Sequence, residues 1–125
     1  MAKLLFPALS NKVLQGCFLV HRDLGPGLLE SVYESAVAVE LEYQGVLFKR
    51  QAKFPVHYRK VLIGTYFGDF CVEDKIILEL KSVKHLLPIM RAQLINYLRI
   101  SGVTVGYLVN FNAESLKWER YVLSR

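Results

Sequence analysis

Glu79 and Lys81 stand two residues apart in the apolar run Ile76-Ile77-Leu78-Glu79-Leu80-Lys81. In an extended strand that spacing projects both side chains from one face, with Leu78 and Leu80 on the other. An ionised glutamate in such a run is costly unless something balances it. Asp69 lies one turn upstream and supplies a second carboxylate. If the turn at Glu73-Asp74 has two residues, position 69 pairs with 78 and faces away from Glu79. A three-residue turn, Glu73-Asp74-Lys75, pairs 72 with 76 and sets Asp69 opposite Glu79. Facing carboxylates, about 5 Å apart at Cβ, can share a hard divalent cation such as Mg²⁺ or Mn²⁺. The Leu80 carbonyl offers a third oxygen, and Lys81 can orient a water or stabilise charge developing on phosphorus. These are the parts that phosphodiester hydrolysis requires. A surface ion pair between Glu79 and Lys81 satisfies the spacing equally well, so the register of the hairpin decides between the two.

The period of the apolar residues predicts the elements that must position this trio. Ser10 is a candidate N-cap for a helix running to about Arg22, with Val13, Leu14, Cys17, Phe18, Val20 and His21 at helical spacing. Gly25-Pro26-Gly27 breaks the chain before a second helix from about Leu28 to Tyr43. Strands follow over residues 46–58, 61–72 and 75–82, with a turn at Arg59-Lys60. Pro88 opens a third helix that closes at Gly102. Strands over 103–111 and 116–123 end the chain. The order is ααβββαββ, an α/β (α+β) arrangement of a mixed sheet flanked by helices in a single domain, 1–125. The third and fourth strands are joined by a connection long enough for parallel pairing.

Composition narrows the function classes. Just over half of the 125 residues are apolar, so a core can form. The net charge of +5 favours an anionic partner, DNA or RNA foremost. Its distribution is uneven. Lys49, Arg50, Lys53, Arg59 and Lys60 fall in one acid-free segment, and Lys81, Lys84, Arg91 and Arg99 in another. Lys84, His85 and Arg91 are candidate phosphate contacts, against the ordinary reading of solvated surface charges. Cys17 and Cys71 lack metal or redox spacing and read as buried free thiols of a reducing compartment. Met1 to Pro7 is too short an apolar stretch for a signal peptide. No run spans a membrane. A cytoplasmic protein is expected.

Several strings in order resemble one family. Gly27-Leu28-Leu29-Glu30-Ser31-Val32-Tyr33 matches the motif that names the GxxExxY family. Gly64, Asp69, Glu79-Leu80-Lys81, Gln93-Leu94-Ile95-Asn96-Tyr97 and Gly106-Tyr107-Leu108-Val109-Asn110-Phe111 follow in that family's sequence. The family is placed in the PD-(D/E)XK nuclease superfamily. Gly68 precedes Asp69 where the superfamily's name has proline, a position that varies widely there. The resemblance implies a restriction-endonuclease-like core and a Mg²⁺-dependent nuclease. Asp69 and Glu79 would be its metal ligands and Lys81 its catalytic lysine. Glu30 resembles the extra acid contributed by a helix, although a helical glutamate near an N-terminus also suits the dipole. Gln93 and Tyr97, four apart on one helix face, resemble the Gln-x-x-x-Tyr pair of RecB-type enzymes; Gln93 would bond the lysine, a ligand or a phosphate, while Tyr97, a candidate nucleic-acid contact, is better suited to the core beside Leu94 and Leu98. Two other functions are compatible with the same residues. One is a nucleic-acid-binding domain that keeps the fold without cutting; the other is a protein-interaction or assembly domain. A homodimer through an edge strand or helix fits any of them.

Overall fold

The computed structural model describes residues 5–124. The apolar start over residues 1–4, part of the stretch weighed as a signal peptide, lies outside them. Three helices and five strands follow in the order α1 (Pro7–Leu24), α2 (Glu30–Tyr43), β1 (Phe48–Tyr58), β2 (Val61–Val72), β3 (Ile76–Lys81), α3 (Pro88–Ser101), β4 (Val105–Asn110) and β5 (Lys117–Val122). The predicted ααβββαββ order holds. One boundary is corrected. Helix α1 begins at Pro7, not after Ser10, because proline is suited to a first turn where its missing N–H is not needed. Ser10 is buried inside the helix, and its hydroxyl has no hydrogen-bond partner among the described residues.

The sheet is mixed, in the spatial order β1-β2-β3-β4-β5. Its one parallel pair is β3 with β4, joined through α3; every other neighbour is antiparallel. Central position explains the composition of β3 and β4. Every residue from Ile76 to Leu80 and from Val105 to Asn110 is buried, as expected of strands covered on both faces. Helices α1 and α2 cover one face through Val13, Cys17, Tyr33, Val37 and Leu41, against Phe70, Leu78, Leu80 and Val109. Helix α3 covers the other through Leu94 and Leu98, against Ile77, Cys71 and Leu108. A side chain on Gly106 would come within 2.9 Å of Leu94, so glycine sets the depth to which α3 settles on the sheet. Cys17 and Cys71 are free and buried, and burial pushes the Cys17 thiol up to about 12. Among the described residues no helix is long and apolar enough to cross a membrane.

Candidate active site

The hairpin between β2 and β3 adopts the odd register. Val72 pairs with Ile76, Cys71 with Ile77 and Phe70 with Leu78, which sets Asp69 opposite Glu79. Glu73 and Asp74 hold left-handed backbone (φ 49° and 56°), and the Lys75 N–H donates to the Val72 carbonyl. Two acidic residues tolerate that conformation better than β-branched ones would.

Strand pairing stops at Phe70, and the two carboxylates take over. The Asp69 N–H donates to Glu79 Oε1 at 3.1 Å, and the Leu80 N–H donates to Asp69 Oδ2 at 2.8 Å. Each acid therefore caps the other's strand, where a continued ladder would have paired backbone with backbone. The bend has a visible origin. Gln51, in the middle of β1, has φ 48°, a conformation rare for a residue with a side chain. On one side of it Phe48 packs toward α1 and α2; on the other, Ala52 packs toward α3. The same reversal occurs along β2 between Tyr66 and Phe70. Gln51 Nε2 donates to Asp69 Oδ1 (3.3 Å) and Glu34 Oε1 (3.1 Å), so the strained residue is itself tied to the acids.

Glu79 is 7% exposed. Burial, then the charge of Asp69, push its carboxyl up to about 8, against the opposing pull of Tyr66, the Asp69 N–H and Lys81. Asp69 is also raised, first by burial and then by Glu34, with the Leu80 N–H, Gln51 and Lys81 opposing. The Tyr66 hydroxyl donates to Glu79 Oε1 in a short hydrogen bond. Burial and the neighbouring Glu79 hold that hydroxyl well above its usual range, so it stays a donor. Tyr97 stacks on Tyr66 with centroids 3.5 Å apart, and Phe54 flanks Tyr66 at 5.8 Å. Tyr97 thus reaches the site through Tyr66, a role that its spacing from Gln93 does not reveal.

Glu30 opens α2 and comes to the same place. Its carboxyl is raised chiefly by burial, favoured in its charged form by Lys81 and disfavoured by Asp69 and Glu34. Lys81, half-buried at the end of β3, is the cation common to Glu30, Asp69 and Glu79. The Gly27-x-x-Glu30-x-x-Tyr33 string now has a physical account. Gly27 takes φ 97° in the loop before α2. Tyr33 is buried, stacks on Phe111 at 4.5 Å, donates its hydroxyl proton to the Gly25 carbonyl (2.6 Å) and accepts from the Leu28 N–H (3.1 Å). Ser82 Oγ, just past Lys81, donates to the Leu28 carbonyl at 2.7 Å. Loop, helix start and strand end are tied together, and that holds Glu30 beside Lys81.

The remaining candidates lie further out. Gln93 is exposed on α3, and its side chain enters no hydrogen bond among the described residues. Lys84 and His85 are exposed between β3 and α3. Arg91 grips Glu119 of β5 through two bonds of 2.7 and 2.9 Å, and Tyr121 donates to the same glutamate. Sequence reasoning missed Tyr66 and Gln51. Tyr66 is separated from Asp69 by the reversal of side alternation along β2, and Gln51 is itself the point of reversal in β1, so counting residues in twos misplaces both.

A sequence profile described as the PD-(D/E)XK nuclease superfamily matches residues 7–121. The chain belongs to that superfamily. Its fold also resembles the crystal structure of an alkaline exonuclease (LHK-Exo) from Laribacter hongkongensis, with TM-score 0.56 and 12% identity over 99% of this chain and 73% of that one. At that identity the likeness concerns the fold alone. No curated protein matches the sequence. For a PD-(D/E)XK protein the donor set can be tested for a metal. No group of three or more His, Cys, Asp or Glu side chains able to hold one occurs among the described residues. Two adjoining acids with raised carboxyls, all oxygen donors, suit a hard cation that keeps several of its waters, as Mg²⁺ does. Such a cation would relieve the repulsion that otherwise favours a proton on Glu79.

Proposed function

We propose that this PD-(D/E)XK domain, of the GxxExxY type, hydrolyses nucleic-acid phosphodiester bonds with Mg²⁺ or Mn²⁺ held by Asp69 and Glu79. The observation that carries the reading is the hairpin register, which sets the two acids opposite each other where strand pairing ends. A divalent cation held there would supply positive charge to the phosphate and acidify water. The side chains around it divide the remaining work. Tyr66 and the Asp69 N–H fix Glu79, while Gln51 and the Leu80 N–H fix Asp69. Preorganised ligands of this kind do not have to reorient during reaction. Lys81 orients the attacking water and balances the charge that builds on the non-bridging oxygens. Glu30, whose raised carboxyl lies in range of Lys81, accepts a proton from that water. Gln93, on the helix that carries Tyr97, takes a phosphate oxygen when substrate is bound, and Lys84 and His85 hold flanking phosphates.

The decisive experiment incubates purified protein with single-stranded, duplex and branched DNA and with RNA, in Mg²⁺, Mn²⁺ or EDTA, beside Lys81→Ala and Asp69→Asn. Metal-dependent cleavage that both substitutions abolish supports the reading. Cleavage equal in all three proteins would be contamination. Tight nucleic-acid binding with no turnover in any metal would instead identify a binding domain on a nuclease fold.

A further inference from the structure

Beyond Asp69, the β1–β2 hairpin leaves the body of the sheet. β2 pairs with β3 only from Phe70 to Val72, whereas its pairing with β1 continues to Tyr58 and Val61 beside the Arg59-Lys60 turn. At about 3.4 Å per residue this arm reaches roughly 27 Å from Asp69 to its tip. One face of the arm, with Ala52, Phe54, Val56 and Tyr66, packs with α3. The opposite face is open. There Lys53 pairs directly with Phe67, and Pro55 with Thr65, and all four are exposed.

The arm is basic along its open face and around its tip. No acidic residue occurs between Glu42 and Asp69, while Lys53, Arg59 and Lys60 enter no ion pair among the described residues. Phe67 is 48% exposed beside Lys53; at the tip, on the side of β1 that carries Phe54 and Val56 but beyond their packing, Tyr58 is 63% exposed with the Arg59 guanidinium 5.8 Å from its ring centre. Aromatic rings with open faces among unpaired cations suit a strand whose bases are free to stack; a duplex presents its phosphates but keeps its base faces covered. The face also begins two residues from Asp69, so a strand lying along it would run into the acids.

We propose that the arm guides a single-stranded polynucleotide from its tip to the Asp69–Glu79 site, with phosphates on Arg59 and Lys60 at the tip and Lys53 on the open face, and bases on Tyr58 at the tip and Phe67 along the face. The proposal rests on the phosphodiesterase reading for what happens at the end of the arm, but its own content is binding. Fluorescence anisotropy of the full chain in EDTA, with labelled single-stranded and duplex DNA of about twenty nucleotides, separates the two. Wild type should prefer the single strand. Replacing Lys53, Arg59 and Lys60 together by alanine should weaken binding at least tenfold and reduce the slope of log K against log salt by about 2. Tyr58→Leu with Phe67→Leu should lose about thirtyfold on the single strand with the slope kept. Circular dichroism melts confirm that each variant folds. The proposal is overturned if the variants bind as wild type does, if wild type binds duplex as tightly as single strand, or if it binds neither. It is also overturned if light scattering shows a dimer that Leu62→Asp dissociates while oligonucleotide binding is unchanged, since the exposed Val61, Leu62 and Ile63 would then seat a second copy. Cleavage in Mg²⁺ by arm variants that bind normally sinks only the arm. Arm-dependent binding with no cleavage above the Lys81→Ala control sinks only the nuclease reading.

Discussion

Replacing Glu79 by glutamine should stabilise the metal-free protein at alkaline pH. The carboxyl is buried and raised from 4.5 to about 8, first by burial and then by Asp69. A raised acid means that the folded state binds the proton more tightly than the unfolded chain does. That stabilisation is complete below about pH 4.5 and is lost as pH rises through about 8. The full shift corresponds to ~5 kcal/mol. Relaxation and water entry reduce the penalty of a buried charge, so about half of that is the expected effect. In a protein whose total stability is roughly 5–15 kcal/mol, this is a large fraction. Glutamine has no proton to lose, and its Oε1 can still accept from Tyr66 and from the Asp69 N–H. Thermal unfolding followed by circular dichroism, in EDTA at constant ionic strength, should give matching Tm values at about pH 5. Near pH 9 the variant should lie about 10 °C above wild type. Millimolar Mg²⁺ near pH 9 should raise wild type and leave the variant unmoved. Two curves that run in parallel across the whole range would refute the reasoning, because Glu79 would then ionise inside the fold at no cost.

Three further outcomes follow from the same geometry. Mg²⁺ affinity, measured by calorimetry, should increase about tenfold per pH unit from near pH 6 and level off around the Glu79 value of about 8, with proton release seen as a buffer-dependent enthalpy. Tyr66→Phe keeps the stack with Tyr97 but removes the donor to Glu79, so Mn²⁺ affinity should fall about 10-fold or more while the Tm moves little. Tyr33→Phe removes the hydroxyl that joins Gly25 and Leu28, and urea unfolding should report a loss of about 1–3 kcal/mol; any activity should fall with it, since Glu30 is held through that loop.

The element order was legible in the sequence because each element has a clean period and hard stops. Pro88 and Gly102 bound α3, and the Arg59-Lys60 turn separates two strands rich in β-branched and aromatic residues. The trio Asp69, Glu79 and Lys81 was legible as well, but only conditionally. Apolar spacing cannot distinguish a two-residue from a three-residue turn at Glu73-Asp74, and that choice reverses the face of Asp69. Tyr66, Gln51 and the reach of Tyr97 were not legible. They depend on a backbone reversal at Gln51, and nothing in its side chain announces a left-handed conformation. Arg91 shows the converse. It has the composition of a phosphate contact, yet Glu119, distant in sequence, occupies its guanidinium.

That reversal at Gln51 links fold to function. A hairpin continuing in regular alternation would pair β2 with β3 beyond Phe70 and close the place where the acids meet. The left-handed residue turns both strands of the hairpin over at once, so the outer half packs Ala52, Phe54 and Tyr66 beneath α3 while the inner half packs Phe48 and Phe70 beneath α1 and α2. Two consequences arise together. The gap between β2 and β3 becomes polar, lined by two carboxylates in place of backbone bonds. The outer hairpin also loses cover on one face, which exposes Lys53 and Phe67. Strain of ~1–3 kcal/mol at one glutamine is the usual cost of such a conformation, and its hydrogen bonds to Glu34 and Asp69 offset part of it. Gln51→Gly should separate the contributions: glycine relieves the backbone but removes both bonds. If the left-handed backbone alone opens the site, the variant should keep its metal affinity and its stability. If the side chain is what positions Asp69, Mn²⁺ affinity should fall while the melt stays close to wild type.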